Sequence, residues 1–336
     1  MGDLIEWKNI VSLGAGGAAV PHLGDPKREF AATRSGTVIC PVIHFDLLHI
    51  HGPDAKAFLQ GQLTCDLDQI TPDHARFGGY CSPKGRLLAN FLLWSTPQGY
   101  LMQLPADVSS GIADRLRKFV LRSRVEIEHG CGLGLLGLAG PGAPGLLHRA
   151  FSAPPAGRLD VVQQEYASVI RLPGDCFLVI AAANAMAGHW EVLTREALPV
   201  GAECWNWLQI QAGVAWITAA TQDQFLPQMT GLDAIGGVSF DKGCYTGQEI
   251  VARARYLGEV KRTLRRGSTR GGVRPGDALS SGGRQCGTIL NAACVPGYGT
   301  ELLAVVSEQV DAQTEVQIAS GDAVVLSVPS GASVPG

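Results

Sequence analysis

The chain has 336 residues, of which 46% are hydrophobic and 17% charged, and its mean hydropathy is +0.13. This composition describes a soluble globular protein with enough apolar mass for two or three domains. The net charge of -3 makes no overall case for nucleic-acid binding, so a polyanion would have to meet a local patch. Nine cysteines without a C-x-x-C pair exclude a zinc ribbon and a thioredoxin-type motif, and their odd number, with no secretory signal, implies reduced thiols in a cytoplasmic setting.

Residues 1–36 read as a partly disordered or loosely docked leader. They hold no apolar run long enough to span a bilayer, because Lys8, the glycines at 14, 16 and 17, and Pro21 interrupt it. Gly14-Ala15-Gly16-Gly17-Ala18-Ala19 superficially matches a dinucleotide fingerprint, but Pro21 falls where the helix should run, so no phosphate loop is assigned. Strand-like runs follow at 38–42, 45–50, 87–94, 100–104, 124–127 and 133–138. Helices are expected at 53–60 and at 108–121, where Ile112, Leu116, Phe119 and Val120 share a face. A second set comprises strands at 168–172 and 176–181 and a helix at 185–196. A helix at 205–212 is ended by Gly213. From residue 262 short apolar runs are broken by Gly-Gly, Pro-Gly and Ser-Gly pairs, the pattern of a small all-β unit.

The run Lys242-Gly243-Cys244-Tyr245-Thr246-Gly247-Gln248-Glu249 concentrates the candidate chemistry. Thr246 and Glu249 have the T-x-x-E spacing of a capping box ahead of an apolar stripe of Ile250, Val251, Ala254 and Leu257. Cys244 would then lie just outside a helix N-terminus and beside Lys242, where dipole and ammonium both favour a thiolate. The competing reading is a small buried hydrophobe. His49 and His51 share one face of a strand, a spacing compatible with metal ligation, but no third ligand is identifiable nearby and no metal site is assigned. Between residues 253 and 274 eight basic residues, from Arg253 to Arg274, face the single acid Glu259. Such a cluster suits the glutamate tail of a folate, RNA phosphate, or simply a solvated face.

The eight-residue run, continued by Ile250-Val251-Ala252-Arg253, resembles the signature of the YgfZ proteins, folate-binding relatives of the glycine-cleavage T-protein (aminomethyltransferase). Gly52-Pro53-Asp54-Ala55, Phe58-Leu59-Gln60-Gly61-Gln62, Tyr80-Cys81, Lys84-Gly85-Arg86, Phe225-x-Pro227-Gln228 and Gly236-Gly237-Val238-Ser239-Phe240 resemble further blocks of that family. The resemblance implies an α+β fold of T-protein type: two α+β domains around a central cavity, and a C-terminal small β-barrel. The expected boundaries are 37–130 with 203–261 for a discontinuous first domain, 131–202 for the second and 262–330 for the barrel.

It also implies tetrahydrofolate or a derivative as ligand, with Trp205, Phe45 and Arg253 as contacts. For the two aromatics, ordinary core packing is the alternative. Cys244 and Lys242 become the candidate reactive pair, and Gly243, Tyr245, Thr246, Gly247, Gln248 and Glu249 the structural signature. The implied role is support of iron-sulfur cluster assembly or repair in client enzymes, including tRNA-modifying ones, with tRNA met indirectly and no membrane. Two rival readings are a folate-dependent aminomethyltransferase or demethylase, and direct tRNA binding. The T-protein's folate-site aspartate maps onto Gly85-Arg86-Leu87-Leu88-Ala89-Asn90; Ala89 and Asn90 carry no charge, which argues against aminomethyl transfer.

Overall fold

The computed structural model describes residues 7, 9, 19–129, 132–151, 153–164, 167–256, 258, 260–311 and 313–329. Part of the expected leader is built into the fold. Helix α1 (Pro26–Ser35) has Pro26 in its first turn, where a missing N–H is harmless, and Asp25 as N-cap, accepting from Lys27 N at 2.9 Å. Its buried Glu29 accepts from Leu23 N, Gly24 N and Gly201 N at 2.6–2.9 Å, tying this helix to the second domain. Most of the glycine-rich fingerprint, residues 14–18, lies outside the described residues.

The chain continues through β1 (Val38–Pro41), β2 (Phe45–His51), α2 (Ala55–Gln60), β3 (Arg76–Cys81), β4 (Leu87–Thr96), β5 (Gly99–Pro105), α3 (Ala106–Val120) and β6 (Glu126–His129). Five strands form one antiparallel sheet in the order β3-β4-β5-β2-β6. Val108, Ile112, Ala113 and Leu116 form the buried stripe of α3, packed with Leu48, Ile50 and Ile127. Arg117 donates from Nε and Nη2 to the Ile127 carbonyl at 3.2 and 2.7 Å, fastening α3 to the edge strand β6.

β7 (Leu133–Ala139), α4 (Ala143–Phe151), β8 (Val161–Gln163), β9 (Ala167–Leu172), β10 (Cys176–Ala182), α5 (Ala183–Leu193) and β11 (Leu198–Pro199) build the second unit. Its sheet runs β11-β1-β7-β10-β9-β8. β1, expected in the first domain, therefore belongs to the second sheet, paired antiparallel to β7 and parallel to β11. In β10 the period of two is strict. Phe177, Val179 and Ala181 face α4 and α5, whereas Cys176, Leu178 and Ile180 join a central core shared with Phe45, Leu47, Phe77 and Trp94 of the first sheet.

After α6 (Ala202–Gln211) the chain returns to the first sheet: Leu87 N donates to Phe225 O, Asp223 N to Leu87 O, and Ser239 N to Thr64 O, each at 2.8 Å. Helix α7 (Gln248–Tyr256) then leads to β12 (Arg262–Thr269), β13 (Ala278–Ser281), β14 (Arg284–Val295), β15 (Gly299–Ser307), β16 (Val316–Gln317) and β17 (Ala323–Ser327), which close into a six-stranded barrel. Among the described residues no helix is long and apolar enough to cross a membrane.

Candidate functional site

The first sheet, α6 and the barrel meet around a cavity of about 240 Å³. Its aromatic wall is Phe45, at the start of β2, and Trp216, whose rings meet edge to face at 4.8 Å. His44 packs against Phe45 at 5.0 Å and places Nε2 3.2 Å from Asn206 Oδ1. With Nε2 donating there, Nδ1 is the free acceptor. Burial pushes the His44 pKa down to about 4, against the smaller effect of the Asn206 bond. Three lining groups hold buried polar atoms without a protein partner: His44 Nδ1, Gln209 Nε2 and Trp216 Nε1. The residues lining the cavity thus hold one buried acceptor and two buried donors beside an aromatic edge.

The segment carrying Trp216 is held by side-chain amides from both neighbours. Asn90 of β4 donates to Ala215 O and accepts from Ile217 N, both at 2.7 Å. Asn291 of β14 accepts from Trp216 N at 2.8 Å and donates to Trp216 O at 3.1 Å. Asn90 has both ends of its amide committed to backbone, and Ala89 is buried in the α3 core, so neither stands in for an aspartate. The carboxylate in the cavity lining is Asp107, in the first turn of α3, whose Oδ2 accepts from Ala219 N at 2.9 Å.

Of the expected folate contacts, Phe45 lines this cavity while Trp205 and Arg253 do not. Trp205 is 2% exposed and packs against β7, where a Cβ on Gly137 would come within 2.3 Å of its ring. Arg253 is exposed on α7, beside Arg255, which stacks over Phe240 at 5.5 Å. His44, Gln209, Trp216 and Asn291 were not identified from the sequence. Trp216 reads there as one more residue of an apolar run, and only the two asparagines, from distant strands, turn it into a wall.

The signature run forms a separate loop, and none of its residues lines the cavity. Lys242 and Tyr245 are buried anchors, and Gly243 and Cys244 between them are exposed. Lys242 points inward: its Nζ donates to Leu63 O and Cys65 O, both at 2.8 Å, and lies 5.5 Å from the Tyr245 ring centroid. Burial lowers its pKa, opposed by Cys65, Asp66 and Asp68. The ammonium expected to serve Cys244 is therefore committed to main-chain carbonyls. Burial, reinforced by Cys81, raises the Tyr245 phenol.

Helix α7 begins at Gln248, and the side-chain bond at its start runs from Tyr245 N to Gln248 Oε1 (3.3 Å) in place of a Thr246–Glu249 box. Gly247, at φ 82°, sits so close to the Ser82–Gly85 turn that a Cβ would meet Ser82 O at 2.5 Å.

Residues 23–242 match the GCVT N-terminal domain family. A tRNA-modifying protein YgfZ from Serratia proteamaculans is 30% identical over 87% of this chain and 91% of its own length. Another, from Colwellia psychrerythraea, is 35% identical over 68% and 70%. The chain belongs to the YgfZ family. The glycine cleavage system aminomethyltransferase T of Bartonella henselae superposes with a TM-score of 0.74 over 96% of each chain at 17% identity, so the YgfZ and T-protein chains share one fold.

Proposed function

We propose that this YgfZ chain binds tetrahydrofolate or a derivative in the central cavity and works in tRNA modification by supporting assembly or repair of iron-sulfur clusters in client enzymes. The names of its relatives support the tRNA-modification link. The observation that carries the ligand reading is the pairing of the Phe45–Trp216 wall with three unpartnered buried polar atoms. A pterin is flat and edged with donors and acceptors. Gln209 and Trp216 would donate to its carbonyl and ring nitrogens, and His44 would accept from its amine. The volume lies below the range of about 300–1,000 Å³ common for drug-sized ligands. It suits the bicyclic ring, with the aminobenzoyl-glutamate tail outside.

Cys244 would act separately from the folate site, as a thiol held out from the surface between two buried anchors. It would meet a client by transient covalent or metal contact.

Calorimetric titration with tetrahydrofolate tests the ligand site. Trp216→Ala should weaken binding at least about tenfold, the scale of one lost stacking and hydrogen-bonding partner. Equal affinities in variant and wild type would place the ligand elsewhere. Cys244→Ala should keep the wild-type folate affinity and lose client-enzyme activity; full client activity would remove the thiol from the mechanism.

One observation favours a second reading, folate-dependent one-carbon transfer. Asp107 supplies a carboxylate to the cavity lining although positions 89 and 90 do not. Turnover of an aminomethyl or N-methyl donor that disappears in Asp107→Asn would establish that activity, and absence of turnover in the wild type would dismiss it.

A further inference from the structure

We propose that His49, His51 and Glu128 form a binding site for a divalent transition metal of the Zn2+ type, distinct from the folate cavity and independent of the function proposed above. The two histidines occupy alternate positions of β2 and project from one face of the sheet. The third donor, missing from the sequence reading, comes from the edge strand β6, whose register with β2 sets Glu128 directly opposite His49. Ile127 packs toward α3, where Arg117 grips its carbonyl, so the next residue, Glu128, is turned to the histidine side.

One donor atom from each residue lies within 4.8 Å of the other two. His49 Nδ1 is 3.9 Å from Glu128 Oε2, and His51 Nε2 is 3.7 Å from Glu128 Oε1. The two imidazoles are stacked, with centroids 4.6 Å apart and planes 29° apart. Around a tetrahedral ion with bonds of about 2.0–2.2 Å, donors stand about 3.4 Å from one another. The widest donor separation, up to 4.8 Å, must therefore close by as much as about 1.4 Å, through rotation of the Glu128 carboxylate and of both imidazole rings.

Two imidazole nitrogens and one carboxylate oxygen suit Zn2+, Fe2+, Co2+ or Ni2+ and not Mg2+ or Ca2+, which take oxygen ligands. Side-chain exposures of 18%, 26% and 54% for His49, His51 and Glu128 give an ion a route in. His49 also lines a cleft of about 650 Å³ with Gln98, Gln163, Gln164 and Ser168. Three protein ligands leave a coordination position open for a water or a small oxygen-donor ligand.

The competing account is a carboxylate flanked by two imidazoles that binds no metal. Titrating Co2+ into the untagged full-length chain separates the two. The background is Cys244→Ser with Cys294→Ser, because these are the exposed thiols among the described residues and thiolates compete for a soft ion. Visible d–d bands saturating at a single equivalent, without thiolate charge transfer and displaced by Zn2+, are expected. In that background His51→Ala and Glu128→Gln should each weaken binding at least about tenfold while leaving the metal-free circular dichroism unchanged. Absence of bands, or bands of undiminished affinity in both variants, would overturn the site.

Discussion

His44 presents Nε2 to Asn206 Oδ1 and keeps Nδ1 buried without a protein partner. Its pKa of about 4, against an ordinary 6.5, means that the folded chain holds this imidazole neutral where the unfolded chain would protonate it. Between those two values the unfolded state binds the extra proton. The contribution of His44 to stability is therefore complete above about pH 6.5 and is lost as the pH falls toward about 4, by up to roughly 3 kcal/mol. Urea unfolding at about pH 7.5 and about pH 4.5 should show wild type losing more stability on acidification than His44→Gln does. Identical losses would show that His44 carries no buried-neutral penalty. Folate binding should weaken only as the pH falls through about 4, where the folded chain's His44 takes up its proton and Nδ1 ceases to be an acceptor.

At the level of elements, the signature loop and the Ser82–Gly85 turn are locked by mutual close approach. Gly247 has φ 82° and Gly85 φ 68°; a Cβ on Gly85 would meet Ile250 Cβ at 2.9 Å, and one on Gly247 would meet Ser82 O at 2.5 Å. Gly247→Ala therefore combines an unfavourable left-handed backbone with a clash against a carbonyl that no rotamer relieves. It should cost about 2 kcal/mol or more in urea unfolding and shift the alkylation rate of Cys244 by releasing the loop that carries it. A stability within a few tenths of a kcal/mol of wild type would mean that the loop adapts freely.

This contact also shows what the sequence could and could not convey. Helix α3 was legible because Ile112 and Leu116 repeat at helical spacing, a local property, although Phe119, expected on the same face, is 43% exposed. That the chain from residue 262 is a small all-β unit was legible from turn pairs between short apolar runs, whereas its closure into a barrel was implied by the family resemblance. The T-x-x-E spacing predicted a cap, but Gly247 is drawn into a left-handed conformation against a turn far away in sequence, so the helix starts at Gln248. Likewise Lys242 looked like a partner for Cys244 by adjacency, while the carbonyls of Leu63 and Cys65 hold it inside. Trp205 and Trp216 are equally aromatic and equally set in apolar surroundings. Which one meets the cavity depends on Gly137 leaving a bare patch of β7 for the Trp205 ring. The His49, His51 and Glu128 set was half visible, because strand alternation is local and strand pairing is not.

Across the whole molecule, residues 214–218 form the seam between the first sheet and the barrel. Asn90 reaches in from one side and Asn291 from the other, each completing two backbone hydrogen bonds that no neighbouring strand supplies. Trp216 is 7% exposed, so losing the Asn291 amide would leave a largely buried N–H and C=O unpaired. Each such group costs about 1–3 kcal/mol. Asn291→Ala should therefore destabilise the protein by about 2–4 kcal/mol in urea unfolding, and Asn291→Asp, which retains the acceptor but not the donor, by less.

The same seam sets the position of one cavity wall relative to the others. If the barrel shapes the ligand site through Asn291, folate affinity measured well below the unfolding midpoint should fall at least several-fold in Asn291→Ala, although the residue's own bonds are all to Trp216. A destabilised variant with undiminished folate affinity would separate the two roles, leaving Asn291 as a fastener between domains and not a determinant of ligand affinity.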